Sequence, residues 1–223
     1  MAYRSKYADV VCLMSGGIDS AMAAYLLCEQ KNVTLWPLYI KRGATAEALE
    51  LLSLRRILPW LRRRFPGQVK PLKMIPFVYP VAELKKKYPP YVLRHRGYVG
   101  RELVLAMLGV FYALGLFPTR RKRVAVATGS LSRDLYSHNR PVYWNLVRRM
   151  VELELGSHAI PIIHPLQNGT RISPANKRDV VAFALRNRFP LEMARSCISG
   201  KRRSCGVCPE CVQRKEAERS VVV

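Results

Sequence analysis

Short apolar runs alternate with longer stretches of helical periodicity along most of the chain. Runs of strand length end at glycine, proline or polar turns, as buried parallel strands do. After the first run, Ala21, Ala24, Tyr25 and Cys28 recur at helical spacing. The predicted strands are 9–14, 33–40, 69–78, 124–128 and 159–163. The first predicted helix contains those four residues, and the others are about 45–63, 101–114, 142–155 and 174–188, with loops at 88–98 and 129–140.

This alternation predicts an α/β fold, a parallel five-stranded sheet with helices on both faces. Ser173 followed by Pro174 predicts an N-cap and the first position of the last of these helices. Ligands in such sheets bind at the carboxyl ends of the strands. The candidate chemistry is therefore expected in the loops that follow the strands.

The first of these loops has the composition of a phosphate-binding turn. Two glycines let the backbone approach a phosphate, and the amides that open the next helix point at the anion. The predicted nucleotide-binding residues are Met14, Ser15, Gly16, Gly17, Ile18, Asp19 and Ser20. Asp19 is expected to anchor the loop or to help hold Mg²⁺ beside the phosphates. The Lys of a Walker loop is absent, and an ordinary glycine-rich turn is the alternative interpretation.

Four cysteines lie within one 15-residue segment near the C-terminus: Cys197, Cys205, Cys208 and Cys211. Four thiols at this spacing can close a tetrahedral site, and structural Zn²⁺ is the first interpretation. The segment has almost no apolar content, so metal binding would supply its folding free energy. Disulfides and an iron–sulfur cluster are the alternatives. Cys12 and Cys28 are predicted to be core residues.

The charge balance is strongly basic. Lys and Arg number 38 against 15 acidic residues, which gives a net charge of +23 and a pI near 10.3. Such a field attracts polyanions and phosphorylated ligands, so a tRNA contact is one interpretation and a solvated surface is the other. The sequence shows neither a membrane-spanning apolar stretch nor the apolar core of a secretory signal. We therefore expect a cytoplasmic protein without a membrane partner.

The loop sequence Ser-Gly-Gly-Ile-Asp-Ser resembles the motif of the PP-loop ATP pyrophosphatases, and the match is complete. The resemblance implies cleavage of ATP between its α and β phosphates and transfer of AMP to a substrate oxygen. A nucleophile such as ammonia or sulfur would then displace the AMP. It also implies adenine near the end of the second strand, around residues 39–42.

The loop and the cysteine quartet together, in a chain of 223 residues, resemble the 7-cyano-7-deazaguanine synthase family nearly end to end. The resemblance implies a ligase that converts 7-carboxy-7-deazaguanine, with ammonia and ATP, to an amide and then to a nitrile. It also implies structural zinc on the cysteines, usually a homodimer, and a role in making the deazaguanine precursor of queuosine and archaeosine. We expect a catalytic domain at 1–190 and a zinc-binding segment at 191–223.

Weaker matches to this family lie between the two motifs. Arg101 opens a helix, Asp134, Tyr136 and Arg140 resemble an Asp-Tyr-Ser segment followed by Arg-Pro, and Lys177 leads into the penultimate helix. By resemblance, Arg101 would neutralise the substrate carboxylate or the phosphates, Asp134 would pair with the purine edge, and Lys177 would contact the triphosphate. Surface or core ion pairs are the alternative for each.

The chain departs from the family pattern on the expected substrate side. Arg195, Ser196 and Ile198 surround Cys197 where the family usually has aromatic residues, and Glu102 replaces a common Asn. The turn Lys41-Arg42-Gly43 replaces the usual acidic or amide-bearing one. These departures leave open a related enzyme that adenylates another carboxyl or carbonyl group on protein or tRNA, or a tRNA thiolase. A zinc-stabilised nucleotide-binding module without catalysis is the third hypothesis.

Overall fold

The strands and helices follow the predicted alternation. The computed structural model describes residues 6–77, 100–119, 123–131, 139–156, 159–167 and 176–221. The strands are β1 (Asp9–Leu13), β2 (Thr34–Lys41), β3 (Lys73–Pro76), β4 (Val124–Ala127) and β5 (Ile162–Ile163). The helices are α1 (Ile18–Cys28), α2 (Glu47–Arg64), α3 (Arg101–Leu116), α4 (Pro141–Leu155), α5 (Lys177–Arg186) and α6 (Pro209–Val221).

The five strands form one parallel sheet in the order β3-β2-β1-β4-β5, which confirms the predicted fold class. β1 lies in the centre, and its residues 10–12 are fully buried. After β1 the chain adds β2 and β3 on one side of it, and then crosses to add β4 and β5 on the other side. The carboxyl end of β1 is therefore the point where the strand order reverses, and a crevice is expected there.

Two hydrophobic cores cover the two faces of the sheet. Val10 and Cys12 of β1 point into a core shared with α1, α2 and α5, whereas Val11 points into a core shared with α3 and α4. This alternation follows the two-residue period of a strand. Both cysteines predicted to be core residues, Cys12 and Cys28, are buried there, and burial raises the pKa of each thiol. Among the described helices, none is long and apolar enough to cross a membrane.

The start of α5 differs from its prediction. The helix begins at Lys177 and not at Pro174, because Asn176 caps it: its side chain accepts from the Asp179 amide, and Asp179 accepts from the Asn176 amide. This reciprocal capping box satisfies two amides that would otherwise lack partners. Ser173 and Pro174, the predicted cap, lie outside the described residues.

Helix α6 was not predicted at all. It packs against α5, and only Cys211 and Ala217 of it are buried, so it has almost no apolar period. Arg214 attaches it to the preceding turn by donating to the carbonyls of Leu191, at 2.6 Å, and Ala194, at 2.5 Å. The domain division after residue 190 stays a prediction.

Candidate active site

The loop between β1 and α1 is folded so tightly that it needs glycine. Gly16 has a φ of +75°, and a Cβ there would lie 2.5 Å from the carbonyl oxygen of Glu50. A side chain at Gly16 would therefore be strained twice, by backbone conformation and by contact with the α2 backbone. Gly17 is the N-cap of α1 and lacks a side-chain cap. The first amides of α1 are thus left to an anion, as in phosphate-binding helix termini.

Serine hydroxyls brace this loop from within. Ser20 Oγ accepts from the Ser15 amide at 3.2 Å and donates to the Gly17 carbonyl at 3.1 Å. The two serine hydroxyls lie 3.2 Å apart, and Ser15 Oγ also accepts from the Gly17 amide at 3.3 Å. These hydrogen bonds fix the conformation of the loop that lines the cavity described below.

A second loop, which follows β4, closes against the first. A Cβ on Gly129 would lie 2.7 Å from the Ser20 amide nitrogen, so only glycine permits this approach. Thr128 Oγ1 lies 3.0 Å from Ser130 Oγ and 2.8 Å from His164 Nδ1. Burial lowers the pKa of His164 to about 3, so its imidazole is neutral at physiological pH. His164 therefore fixes the end of β4 through a hydrogen bond without adding a charge.

Asp19 and Lys177 meet at the mouth of the loop, although 158 positions separate them in the sequence. Lys177 Nζ donates to Asp19 Oδ2, and both side chains are partly exposed, at 18% and 28%. The other carboxylate oxygen, Asp19 Oδ1, is buried and has no hydrogen-bond partner within the described part of the chain. A carboxylate oxygen in that position suits Mg²⁺, which prefers oxygen ligands beside phosphates.

One cavity of about 300 Å³ collects most of these groups. Asp19, Arg101 and Lys177, the three predicted catalytic residues, all line it. The other lining residues include the following members of the two loops and of the cysteine segment: Met14, Ser15, Gly17, Ile18, Ser20, Thr128, Gly129, Ser130, Arg195, Ser196, Cys197, Ile198 and Glu210. The structure therefore brings the N-terminal loop and the C-terminal segment to one site.

Two ion pairs flank the same cavity. Arg101 Nε donates to Glu102 Oε1 at 2.7 Å, so the carboxylate that departs from the family pattern holds the predicted anion-binding guanidinium. Arg42 Nη2 lies 2.8 Å from Glu50 Oε1. Tyr39 donates its hydroxyl to Glu50 Oε2 at 2.7 Å, and burial first, then this carboxylate, raises the tyrosine's pKa. Each cation thus already has an anionic partner within the chain.

The four C-terminal cysteines are gathered as a metal site requires. Their sulfur atoms all lie within 4.8 Å of one another, so the cluster could hold a metal ion. Four sulfurs at about 2.3 Å from one tetrahedral ion lie about 3.8 Å apart, so only small shifts are needed. Gly206, with a φ of +75°, turns the backbone after Cys205.

Backbone amides surround the sulfurs in the manner of thiolate sites. The Cys205 amide donates to Cys197 Sγ at 3.3 Å, and the Cys208 amide donates to Cys205 Sγ at 3.4 Å. Burial raises the pKa of the Cys197 thiol, but hydrogen bonds from Ser199 and Cys205 outweigh it and bring the pKa to about 6. Burial raises the pKa of Cys211 to about 12. A cation among the four sulfurs would stabilise all of them as thiolates.

Arg195 connects the cysteine segment to the phosphate loop. Its amide donates to the Gly16 carbonyl at 2.9 Å, and its guanidinium donates to the Ser199 and Lys201 carbonyls at 2.5 and 2.8 Å. A Cβ on Gly200 would lie 3.0 Å from the Thr45 carbonyl oxygen, so the segment also rests against the loop before α2. The fold around the cysteines thereby fixes one wall of the cavity.

Three tentative substrate residues are not placed in this cavity. Asp134 and Tyr136 lie outside the described residues, and Arg140 is exposed at the N-cap of α4. Conversely, sequence reasoning missed Thr128, Gly129 and Ser130, although they follow the strand next to β1. The rule that ligands bind at the carboxyl ends of strands could have found them.

The chain is similar in sequence to one protein family and to several of its members. The sequence model of the family described as queuosine biosynthesis protein QueC matches residues 84–221. The 7-cyano-7-deazaguanine synthase of Methanothermobacter thermautotrophicus is 24% identical over 228 residues, which cover 93% of this chain and 92% of the relative. The synthase of Methanoculleus marisnigri is 29% identical over 226 residues, which cover 95% and 94%.

Among solved structures, the U34-tRNA thiolase NcsA of Methanococcus maripaludis, determined with its 4Fe–4S cluster, matches with a TM-score of 0.50. The match covers 97% of this chain and 66% of the thiolase at 14% identity. At that identity the likeness concerns the fold alone.

Proposed function

This chain belongs to the family of the queuosine biosynthesis protein QueC, and from that membership we propose that it converts 7-carboxy-7-deazaguanine and ammonia to 7-cyano-7-deazaguanine at the expense of ATP. One observation carries the proposal: the phosphate loop, Lys177, Arg101 and the cysteine segment all face one cavity. A non-catalytic nucleotide-binding module would need neither Lys177 and Arg101 in the cavity nor the cavity wall that the cysteine segment forms.

The proposed chemistry replaces poor leaving groups by AMP in two rounds. In the first, a carboxylate oxygen attacks the α-phosphorus of ATP, pyrophosphate leaves, and ammonia then displaces AMP to give the amide and a proton. In the second, the amide oxygen takes AMP from another ATP. Loss of that AMP and of the nitrogen's protons leaves the nitrile. Each nitrile therefore consumes two ATP and one ammonia, and releases two AMP and two pyrophosphate.

The described residues divide this work between binding and charge stabilisation. The amides of the loop from Ser15 to Ser20 would hold the leaving pyrophosphate, with the α1 dipole behind them. Lys177 would neutralise charge as the bond between the α and β phosphates breaks, which is electrostatic stabilisation of the transition state. Mg²⁺ fits beside the buried Asp19 Oδ1, where it would bind phosphate oxygens.

We propose that Cys197, Cys205, Cys208 and Cys211 bind structural zinc. The site offers four sulfur donors from the protein, which is the ligand number of a closed structural site. Its effect on catalysis would be indirect, since Arg195 and Cys197 form a cavity wall only when this segment is folded.

Substituting Arg101 tests whether it binds the carboxylate of the acceptor or the phosphates of ATP. We expect Arg101→Ala to raise the KM for the deazapurine acid at least about tenfold and to change the KM for ATP by less than about twofold. The reason is that its guanidinium, held by Glu102, lines the cavity from α3 and is not part of the phosphate loop. Arg149→Ala, at an exposed site of α4 outside the cavity lining, is the matched control. A rise in the KM for ATP instead would assign Arg101 to the phosphates.

We propose that the expected homodimer forms through α4. Four large apolar side chains along this helix are exposed by 49–72%: Val142, Leu146, Met150 and Leu153. Their spacing of three or four residues puts them on one stripe. Leu146→Glu should convert a dimer to a monomer in sedimentation equilibrium, whereas Arg148→Ala, beside the stripe, should not. A wild-type chain that sediments as a monomer would contradict this assignment.

The proposed reaction is tested by incubating the purified chain with the acid, ATP, Mg²⁺ and ammonia. Mass spectrometry should detect first the amide and then the nitrile, and AMP should form only when the acid is present. Release of AMP with neither product would leave an adenylating enzyme with another acceptor. In that case the same assay with tRNA and a sulfur donor would separate thiolation from adenylation of a protein carboxylate.

A further inference from the structure

A second cleft lies at the other end of the strands from the ATP cavity. Its volume is about 480 Å³, and it lies where α2 and α5 end. We call it the arginine cleft, and its lining residues are Trp60, Arg63, Arg64, Arg186, Asn187 and Arg188. α2 runs from Glu50 beside the ATP cavity to Arg63 beside this cleft, a distance of about 20 Å at about 1.5 Å per residue. The two sites are therefore separate.

The arginine side chains of this cleft have no hydrogen-bonding or ion-pair partner among the described residues. Among the described residues, none of the four guanidinium groups makes a hydrogen bond or an ion pair, and the lining contains no carboxylate. Arg62, on the same turn of α2, is a structural contrast, because it donates to the carbonyls of Val69 and Lys70 at 3.3 and 3.0 Å. Among the described residues, the ends of α2 and α5 at this cleft thus carry one structural arginine, Arg62, and four arginines whose guanidinium groups are unpaired.

The backbone at Arg188 adds an independent observation. Arg188 has a φ of +56° and is the one non-glycine residue with positive φ in the described ranges. Its amide donates to the Leu185 carbonyl at 2.9 Å, so it occupies the position after a helix where glycine is the usual residue. Arg188 thus has a strained backbone conformation that glycine would adopt without strain, which favours a functional role for its side chain.

We propose that the arginine cleft binds the phosphodiester backbone of single-stranded RNA. Guanidinium groups match phosphate oxygens in pairs, and four arginines at the ends of α2 and α5 line this cleft. The ring of Trp60, which packs edge-on against Phe189 at 5.1 Å, lines the same cleft and gives an unstacked base a surface to lie on. The net charge of +23 would draw a polyanion toward it.

The test measures binding of a fluorescein-labelled single-stranded RNA of about 12 nucleotides to the full chain by fluorescence anisotropy. We expect Arg63→Ala with Arg186→Ala to weaken binding at least about tenfold and to reduce the salt slope by about 1.4, or about 0.7 per lost contact. The charge-matched control is Arg148→Ala with Arg149→Ala on the other face of the sheet, and it should change binding by less than about twofold. Equal losses in both double variants would overturn the proposal in favour of a diffuse field.

Arg188→Gly separates binding from helix capping. Glycine relieves the positive φ, so the melting temperature should stay or rise while RNA binding weakens. If the arginines only stabilise helix ends, the variant would bind RNA as the wild type does, and the proposal would be wrong. Displacement of the RNA by millimolar inorganic phosphate at constant ionic strength, or equal competition by polyglutamate, would also overturn it. AMP release with the acid should be unchanged in these variants, so this result is independent of the proposed reaction.

Discussion

Asp19→Asn is expected to reduce AMP release at least about 100-fold, or about 2.7 kcal/mol of transition-state stabilisation. The substitution keeps the shape of the side chain but removes its charge. Asp19 accepts a hydrogen bond from Lys177 with one oxygen, and its other oxygen, buried and unpartnered among the described residues, is the proposed ligand of Mg²⁺. An amide would leave Lys177 without its counter-charge and would be a poor ligand for the metal.

The matched control for this variant is Asp9→Asn. Asp9 begins the same strand, lies outside the cavity lining and accepts from Trp36 Nε1 at 2.9 Å, a bond that an amide oxygen also accepts. Its activity should stay within about threefold of the wild type. Steady-state assays of AMP release at several Mg²⁺ concentrations measure both effects. An active Asp19→Asn enzyme with an unchanged Mg²⁺ requirement would remove Asp19 from the ATP chemistry.

The parts of the site that the sequence predicted are those with local signals. The loop from Ser15 to Ser20 joins an apolar strand to a helix, and the positive φ of Gly16 is a property of the turn itself. The cysteine quartet was predictable for the same reason, since two residues between Cys205, Cys208 and Cys211 are the ligand spacing typical of a metal site. Local geometry is encoded by neighbouring residues and can be read without the fold.

The parts that were missed depend on contacts between distant segments. Gly129 looks like any loop glycine until β4 is placed beside β1, where its missing Cβ lets the Ser20 amide approach. Arg195 could be read only as a departure from a family pattern, yet its amide holds the Gly16 carbonyl. α6 has too few buried apolar residues to show a period, because cysteines and Arg214 fix it in place. These features depend on the strand order and on hydrogen bonds between distant segments of the chain, and not on composition.

Cys208→Ser is expected to abolish binding of the proposed zinc and to inactivate the enzyme, although Cys208 does not line the cavity. Cys208 is buried among the other three sulfurs, and a neutral hydroxyl is a weak zinc ligand. Since metal binding supplies folding free energy to a segment that buries little else, the melting temperature should fall by at least about 5 °C. Activity should fall with it, because the Arg195 amide then loses its fixed position against Gly16.

Cys28→Ala is the control that separates metal loss from ordinary destabilisation. Its thiol is buried in the core beside α5, far from the quartet in the fold, so the variant should lose some stability yet keep its metal and its activity. Elemental analysis should find one zinc per chain in the wild type and in this control, and none in Cys208→Ser. A brown protein with visible absorbance would instead indicate an iron–sulfur cluster. Fewer than six titratable thiols after unfolding with chelator and without reductant would indicate disulfides, because the chain contains six cysteines.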